Sequence, residues 1–189
     1  MKKNLFYDKI QENPMIAAIR NIEDVDKVIK SPCEICFLLS GDIFNLKGVI
    51  QKLKESDKLV YVHVDLLEGF SKDTVALRYI YENMKPDGII TTKTHLIKKA
   101  RTLGIFAIQR LFILDTISLE TGIKTAKSIQ PDAIEILPGI IPKIIKKLKK
   151  EINIPVIAGG LISDKEDIIE GLKAGAMGIS ASNEKLWYM

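Results

Sequence analysis

PVIAGGLISDKEDI, residues 155–168, runs an apolar segment straight into two adjacent glycines and then into a helix start. Gly159 and Gly160 offer no side-chain chemistry, so their value lies in the backbone. Either the chain turns there through a conformation that a Cβ forbids, or another group approaches the backbone closely. Both readings place the pair at the end of a buried strand.

The same order of apolar run, turn and helical period recurs along the chain. Apolar runs occur at 15–20 (MIAAIR), 34–40 (EICFLLS), 59–66 (LVYVHVDL), 88–92 (GIITT), 105–113 (IFAIQRLFI), 133–138 (AIEILP), 155–160 (PVIAGG) and 178–182 (GISAS). Most are apolar on both faces, as strands of a parallel sheet covered on both sides should be. They begin 17–29 residues apart, the length of a β-α-β crossover repeat. Eight such units predict a compact, single-domain α/β fold, a (β/α)8 TIM barrel spanning 1–189, with an open eight-stranded sheet as the alternative. Helix starts are marked at Asp115-Thr116 and at Ser163-Asp164, where Ser163 and Glu166 have capping-box spacing. Residues 1–14 carry Leu5, Phe6 and Ile10 at near-helical spacing and are expected to cover the barrel bottom.

Of the 189 residues, 47% are hydrophobic, enough for one well-buried core, and the net charge is +4. No apolar run approaches a membrane span, and the N-terminus lacks the continuous apolar core of a signal peptide. A cytoplasmic protein without a membrane partner is expected. Cys33-x-x-Cys36 stands alone beside only two histidines, His63 and His95, so it reads as core packing, and neither a metal nor a cofactor is expected.

Polar residues gather at the carboxyl ends of the runs, where a barrel binds its ligand. These are Arg20, His63 and Asp65, Lys93, Arg110, Glu135 before Gly139, and Ser180 before Ser182 and Asn183. His63 and Asp65, two apart, are expected on one face of a strand, as an acid/base pair or as a structural hydrogen-bonding pair. Arg20 and Arg110 offer positive charge to a carboxylate or phosphate, or neutralise Asp65 or Glu135 inside the barrel. The loops Gly159-Gly160-Leu161 and Ala181-Ser182-Asn183, after strands seven and eight, stand where barrels commonly hold phosphate on backbone amides. The helix after the sixth strand, PKIIKKLKKEI, buries an isoleucine–leucine stripe and exposes Lys143, Lys146, Lys147 and Lys150. Such a face is either simply solvated or a nucleic-acid backbone contact.

Six segments carry a family resemblance: HVDLLEG (63–69), GIITTK (88–93), AIQRLFILD (107–115), IEILPG (134–139), IAGGLI (157–162) and ASNEKLW (181–187). Together they resemble the bacterial glycerol uptake operon antiterminator regulatory proteins, collinearly from residue 13 to the C-terminus. The segment CEICFLLSGDIFNLKG (33–48) departs from the family pattern, although Asp42 and Leu46-Lys47-Gly48 fit it. The resemblance implies a regulator that binds glycerol 3-phosphate and acts on a messenger RNA leader to prevent premature termination; on that reading the ligand at the barrel mouth biases a surface conformation or a homo-oligomer that holds RNA. The alternative is a barrel enzyme, an isomerase, aldolase or lyase, acting on a small phosphorylated substrate with His63–Asp65 or Glu135 as acid/base.

Overall fold

The computed structural model describes residues 2–189. Eight parallel strands close into a barrel in chain order: β1 (Met15–Ile19), β2 (Ile35–Leu38), β3 (Leu59–His63), β4 (Gly88–Thr91), β5 (Phe106–Phe112), β6 (Ala133–Leu137), β7 (Val156–Gly159) and β8 (Gly178–Ala181). The pairing of Met15 with Ile179 and of Ala17 with Ala181 joins β8 to β1 and excludes the open sheet. Helix α1 (Lys2–Glu12) precedes the barrel. The crossovers carry α2 (Val25–Lys30), α3 (Leu46–Lys54), α4 (Thr74–Met84), α5 (Thr94–Thr102), α6 (Thr116–Ile129), α7 (Pro142–Glu151) and α8 (Lys165–Lys173). After β8 a short 3-10 helix, Glu184–Tyr188, takes the place of a full crossover helix.

Strand alternation divides the buried residues into two sets. One set, including Ala17, Leu38, Val60, Val62, Ile89, Ile134 and Ile136, meets the helices. The other, including Ile16, Phe37, Tyr61, Ile90, Phe106, Ile108 and Ile157, fills the barrel together with Phe6 and Ile10 of α1. The Phe6 ring lies edge-on to Tyr61, with centroids 5.2 Å apart, and 4.7 Å from Phe106. Gly178 leaves the space that Ile10 occupies, because a Cβ there would collide with its side chain. Tyr7 ties the same helix to the start of β6 by donating to the Asp132 carbonyl at 2.9 Å.

Two aspartates just ahead of strands repeat one device. Asp87, before β4, accepts the Val60 amide at 3.0 Å, and Asp132, before β6, accepts the Ala107 amide at 2.9 Å. Each carboxylate satisfies a donor near the start of the preceding strand. The shared Pro-Asp-(Gly/Ala)-Ile pattern at 86–89 and 131–134 is the sequence trace of this device.

One helix start differs from expectation. Asp164, not Ser163, caps α8, accepting the Asp167 amide at 3.0 Å. Asp167, rather than Glu166, reaches back to the Ser163 amide and hydroxyl, both at 2.8 Å. The cap moves one residue along because Asp164 has the extended backbone (φ −150°) that an N-cap requires. Cys33 and Cys36 are buried, and burial pushes the Cys33 thiol up to about 11 and the Cys36 thiol higher still. Phe6→Ala should cost about 3–5 kcal/mol, read as a lower urea midpoint with an unchanged m-value, because a fully buried ring leaves a cavity in the barrel.

Candidate ligand site at the barrel mouth

The inward positions near the carboxyl ends of β5 to β8 hold a polar layer. Arg110 on β5 lies in register with Glu135 on β6, and its Nε donates to Oε2 at 2.7 Å. Ser180 on β8 donates to the other carboxylate oxygen at 2.6 Å. All three side chains are buried. Glu135 reaches Ser180 across β7 because Gly159 stands between them; a Cβ there would collide with Ser180 Oγ and come within 2.8 Å of Glu135 Oε1. Gly159 therefore makes room for an internal ion pair.

The neighbouring glycines serve other ends. Gly160 sits at φ +72°, and Leu161 follows at φ +61°, so the chain leaves β7 through two left-handed residues. A Cβ on Gly160 would meet Leu137 at 3.1 Å. A Cβ on Gly139 would lie 2.6 Å from the Gly159 nitrogen, so this glycine lets the loop after β6 lie against β7. Its amide donates to the Gly160 carbonyl at 3.2 Å.

Above this layer opens a cavity of about 680 Å³, lined by polar and charged Arg20, Arg110, Glu135, Ser180 and Ser182 and by the loop residues Gly160, Leu161 and Ala181. Leu39, Leu66, Phe112, Leu114, Leu137 and Pro138 add an apolar wall. Arg110 is committed to Glu135, whereas exposed Arg20 makes no ion pair among the described residues. Among the loop hydrogen bonds of the described residues, none is donated by the amides of Leu161, Ile162 or Ser182. The mouth therefore has, in Arg20, a positive charge without an ion pair among the described residues, and the loops beside it carry the amides of Leu161, Ile162 and Ser182.

Other residues singled out from sequence lie away from this lining. His63 ends β3, but the chain then turns into a 3-10 helix, Val64–Leu66, which carries Asp65 off the strand. The expected shared face is lost because strand alternation stops at His63. Asp65 instead ties β3 to β4, accepting the Thr91 hydroxyl at 2.6 Å and the Thr92 amide and hydroxyl at 2.7 and 2.8 Å. Burial alone would raise its carboxyl, but these bonds together outweigh burial and bring it below the usual range. His63 is buried, and its Nδ1 has no hydrogen-bond partner among the described residues. Burial first, and then the Arg110 charge, push the imidazole down to about 4.

Lys93 is half-buried at the start of α5, and Asn183 caps the terminal 3-10 helix by accepting the Lys185 amide at 3.1 Å. Lys143, Lys146, Lys147 and Lys150 are exposed on α7, outside the barrel. The apolar lining went unread in the sequence because it carries no polar signal. Phe112 and Leu137 could have been found by alternation, since each lies two residues beyond Arg110 or Glu135 on the same strand.

Fold and mouth together define a (β/α)8 barrel with its polar residues gathered at the carboxyl ends of the strands. A family model for the glycerol-3-phosphate responsive antiterminator matches residues 15–187. The uncharacterized Escherichia coli (strain K12) protein YgcP is 38% identical over 178 residues, covering 94% of this chain and 93% of that protein. The glycerol uptake operon antiterminator regulatory protein of Listeria monocytogenes superposes with a TM-score of 0.90 at 35% identity, over 93% of this chain and 95% of that one. A glycerol uptake operon antiterminator-related protein of Thermotoga maritima gives 0.84 at 34% identity, over 93% and 98%. The chain belongs to the glycerol-3-phosphate responsive antiterminator family.

Two outcomes follow from the buried layer and the histidine. Gly159→Ala should destabilise the fold by about 1–3 kcal/mol through overpacking. Adding Ser180→Ala removes the oxygen in the way, so the double variant should cost less than the two single changes together, as a double-mutant cycle in urea will show. For His63, above its ordinary value of 6.5 both folded and unfolded states hold it neutral, and it contributes no pH dependence. Between 6.5 and about 4 the unfolded chain takes the proton first, so stability falls as pH drops, by about 1.4 kcal/mol per unit for one group. The difference in stability between wild type and His63→Gln, followed by urea unfolding from neutral to mildly acidic pH, should shrink by that slope.

Proposed function

We propose that the protein is a cytoplasmic regulator that binds glycerol 3-phosphate at the barrel mouth and a messenger RNA leader on its surface, causing transcription antitermination of glycerol uptake or metabolism genes. The observation that carries the ligand reading is the unpaired Arg20 beside the cavity that also receives the loops after β7 and β8. An arginine and free amides suit the oxygens of a small phosphate ester, and the apolar wall suits its carbon chain.

The committed state of the other ionisable groups favours a regulator over an enzyme. Glu135 is held by Arg110 and Ser180, Asp65 by Thr91 and Thr92, and His63 is buried away from the cavity lining. A general acid or base must reach the substrate with an exchangeable proton, and each of these groups is otherwise engaged or out of place. No helix among the described residues is long and apolar enough to cross a membrane.

For RNA, the supporting feature is α7, whose exposed Lys143, Lys146, Lys147 and Lys150 make no ion pair among the described residues. Clustered lysines bind a phosphate backbone by charge and counterion release. The chain links the two regions directly: Leu137 and Pro138 line the cavity, and α7 begins at Pro142. A ligand that binds one setting of this loop better than another would shift RNA affinity by at most that free-energy difference.

Calorimetry should find glycerol 3-phosphate bound by wild type and at least about tenfold more weakly by Arg20→Ala, the effect of losing a charge-assisted hydrogen bond. Equal affinity would remove Arg20 from the site. A transcribed leader RNA should bind with an affinity that changes on adding glycerol 3-phosphate, and Lys146→Glu with Lys150→Glu should weaken it and flatten its salt dependence. An absence of RNA binding at low salt in both ligand states sinks the regulatory reading.

A further inference from the structure

A second surface stands apart from both the mouth and the basic helix. The loop between β2 and α3 holds Phe44 94% exposed, with Ile43 45% exposed beside it, while α4 presents Val75 at 76% and Tyr79 at 50%. These residues are neighbours. Ile43 packs on the loop after β3, where a Cβ on Gly69 would meet its Cγ2 at 3.0 Å. Phe70 follows on that loop and lies 6.4 Å from the Tyr79 ring, centroid to centroid. Val75 and Tyr79 are one helical turn apart on α4.

The loop that carries Phe44 is built, not frayed. The Asp42 carboxylate accepts the Phe44 amide at 2.7 Å and the Asn45 amide at 3.0 Å, and Asn45 Oδ1 accepts the Asp42 amide at 2.9 Å. The Glu68 amide donates to the Gly41 carbonyl at 3.0 Å, joining the two loops. The backbone of this loop is already ordered, so binding through Phe44 need not spend free energy on ordering the loop.

We infer that this patch is the contact surface for a second copy of the chain, paired across a two-fold axis. Taking about 150–250 Å² for a whole aromatic as an upper guide and scaling by exposure, the patch offers on the order of 500 Å² of side chain. That is in the range of the largest patch on a typical monomer and more than half of the roughly 800 Å² that each partner contributes to a stable interface. The charges near it are mixed: Lys47, Lys72 and Arg78 stand with Asp42, Glu68, Asp73 and Glu82, and Arg78 already pairs with Glu82 on α4. A surface carrying both signs can meet its own image with opposite charges facing, as an isologous contact between charged surfaces requires. The lysine-rich face of α7 would repel its own copy, and a polyanion would find no net positive charge on the α4 patch.

Sedimentation equilibrium of the full chain tests the pairing without any ligand, so its failure is separable from failure of the regulatory reading. Wild type should sediment as a dimer in concentration-dependent exchange with monomer. Phe44→Glu and Val75→Glu should each raise the dissociation constant about tenfold or more, with circular dichroism and the urea midpoint of the monomer unchanged, because both side chains lie in solvent in the single chain. Tyr79→Ser gives a milder change at a third position and should weaken pairing in the same direction. A wild type that remains monomeric at the highest soluble concentration overturns the inference. So does a dimer whose dissociation constant none of the three substitutions moves.

Discussion

The buried contact of Arg110 with Glu135, completed by Ser180, sets the terms for the upper half of the barrel. A carboxylate and a guanidinium taken out of water must be paired and hydrogen-bonded, or the desolvation cost exceeds their attraction. Here three strands contribute to that requirement and the fourth strand involved, β7, contributes by omission at Gly159. Beneath the layer the barrel is apolar and filled from below by Phe6 and Ile10; above it lies the cavity. The ion pair is thus the floor of the site and the ceiling of the core. Since it consumes Arg110, an incoming anion is left with Arg20 and the loop amides.

The same constraint explains which parts of the fold were legible in sequence. Strands buried on both sides announce themselves as apolar runs, and eight of them at crossover spacing allow few architectures. Inward-facing charge was legible too, since Arg110 and Glu135 interrupt otherwise apolar runs. What a glycine is for was not. Gly139, Gly159 and Gly160 lie near one another and serve three purposes: backbone contact, space for another strand's carboxylate, and a left-handed turn. All three produce the same letter, and only the neighbours in space separate them. Asp65 illustrates the complementary limit. Its spacing from His63 predicts a shared face only while the strand continues, and the 3-10 turn at Val64 ends it.

The cap of α8 shifted for a related reason. Ser163, Asp164, Glu166 and Asp167 offer two overlapping capping patterns, and sequence spacing satisfies both. The backbone chooses the aspartate pair, which leaves the amide of Ser163 bonded to Asp167. This bears on the mouth: the Asp167 amide in the first turn of α8 and the Ser163 amide just before it already donate to carboxylates of the chain itself.

Around the closed ring, the helix bearing Val75 and Tyr79 and the helix bearing the lysines belong to crossovers three units apart, after β3 and after β6. Pairing through the first would bury neither copy's second. Two basic helices would then be carried on one particle, related by the same two-fold axis. Backbone contacts to RNA are individually weak and salt-sensitive, but two faces tied together make the second engagement intramolecular, and affinity rises without any new residue. A loop setting chosen by ligand in each barrel would then act on both faces at once. The proposed dimer contact, the mouth cavity and the basic helix lie on different parts of one closed barrel, so the proposed functions would draw on separate chemistries.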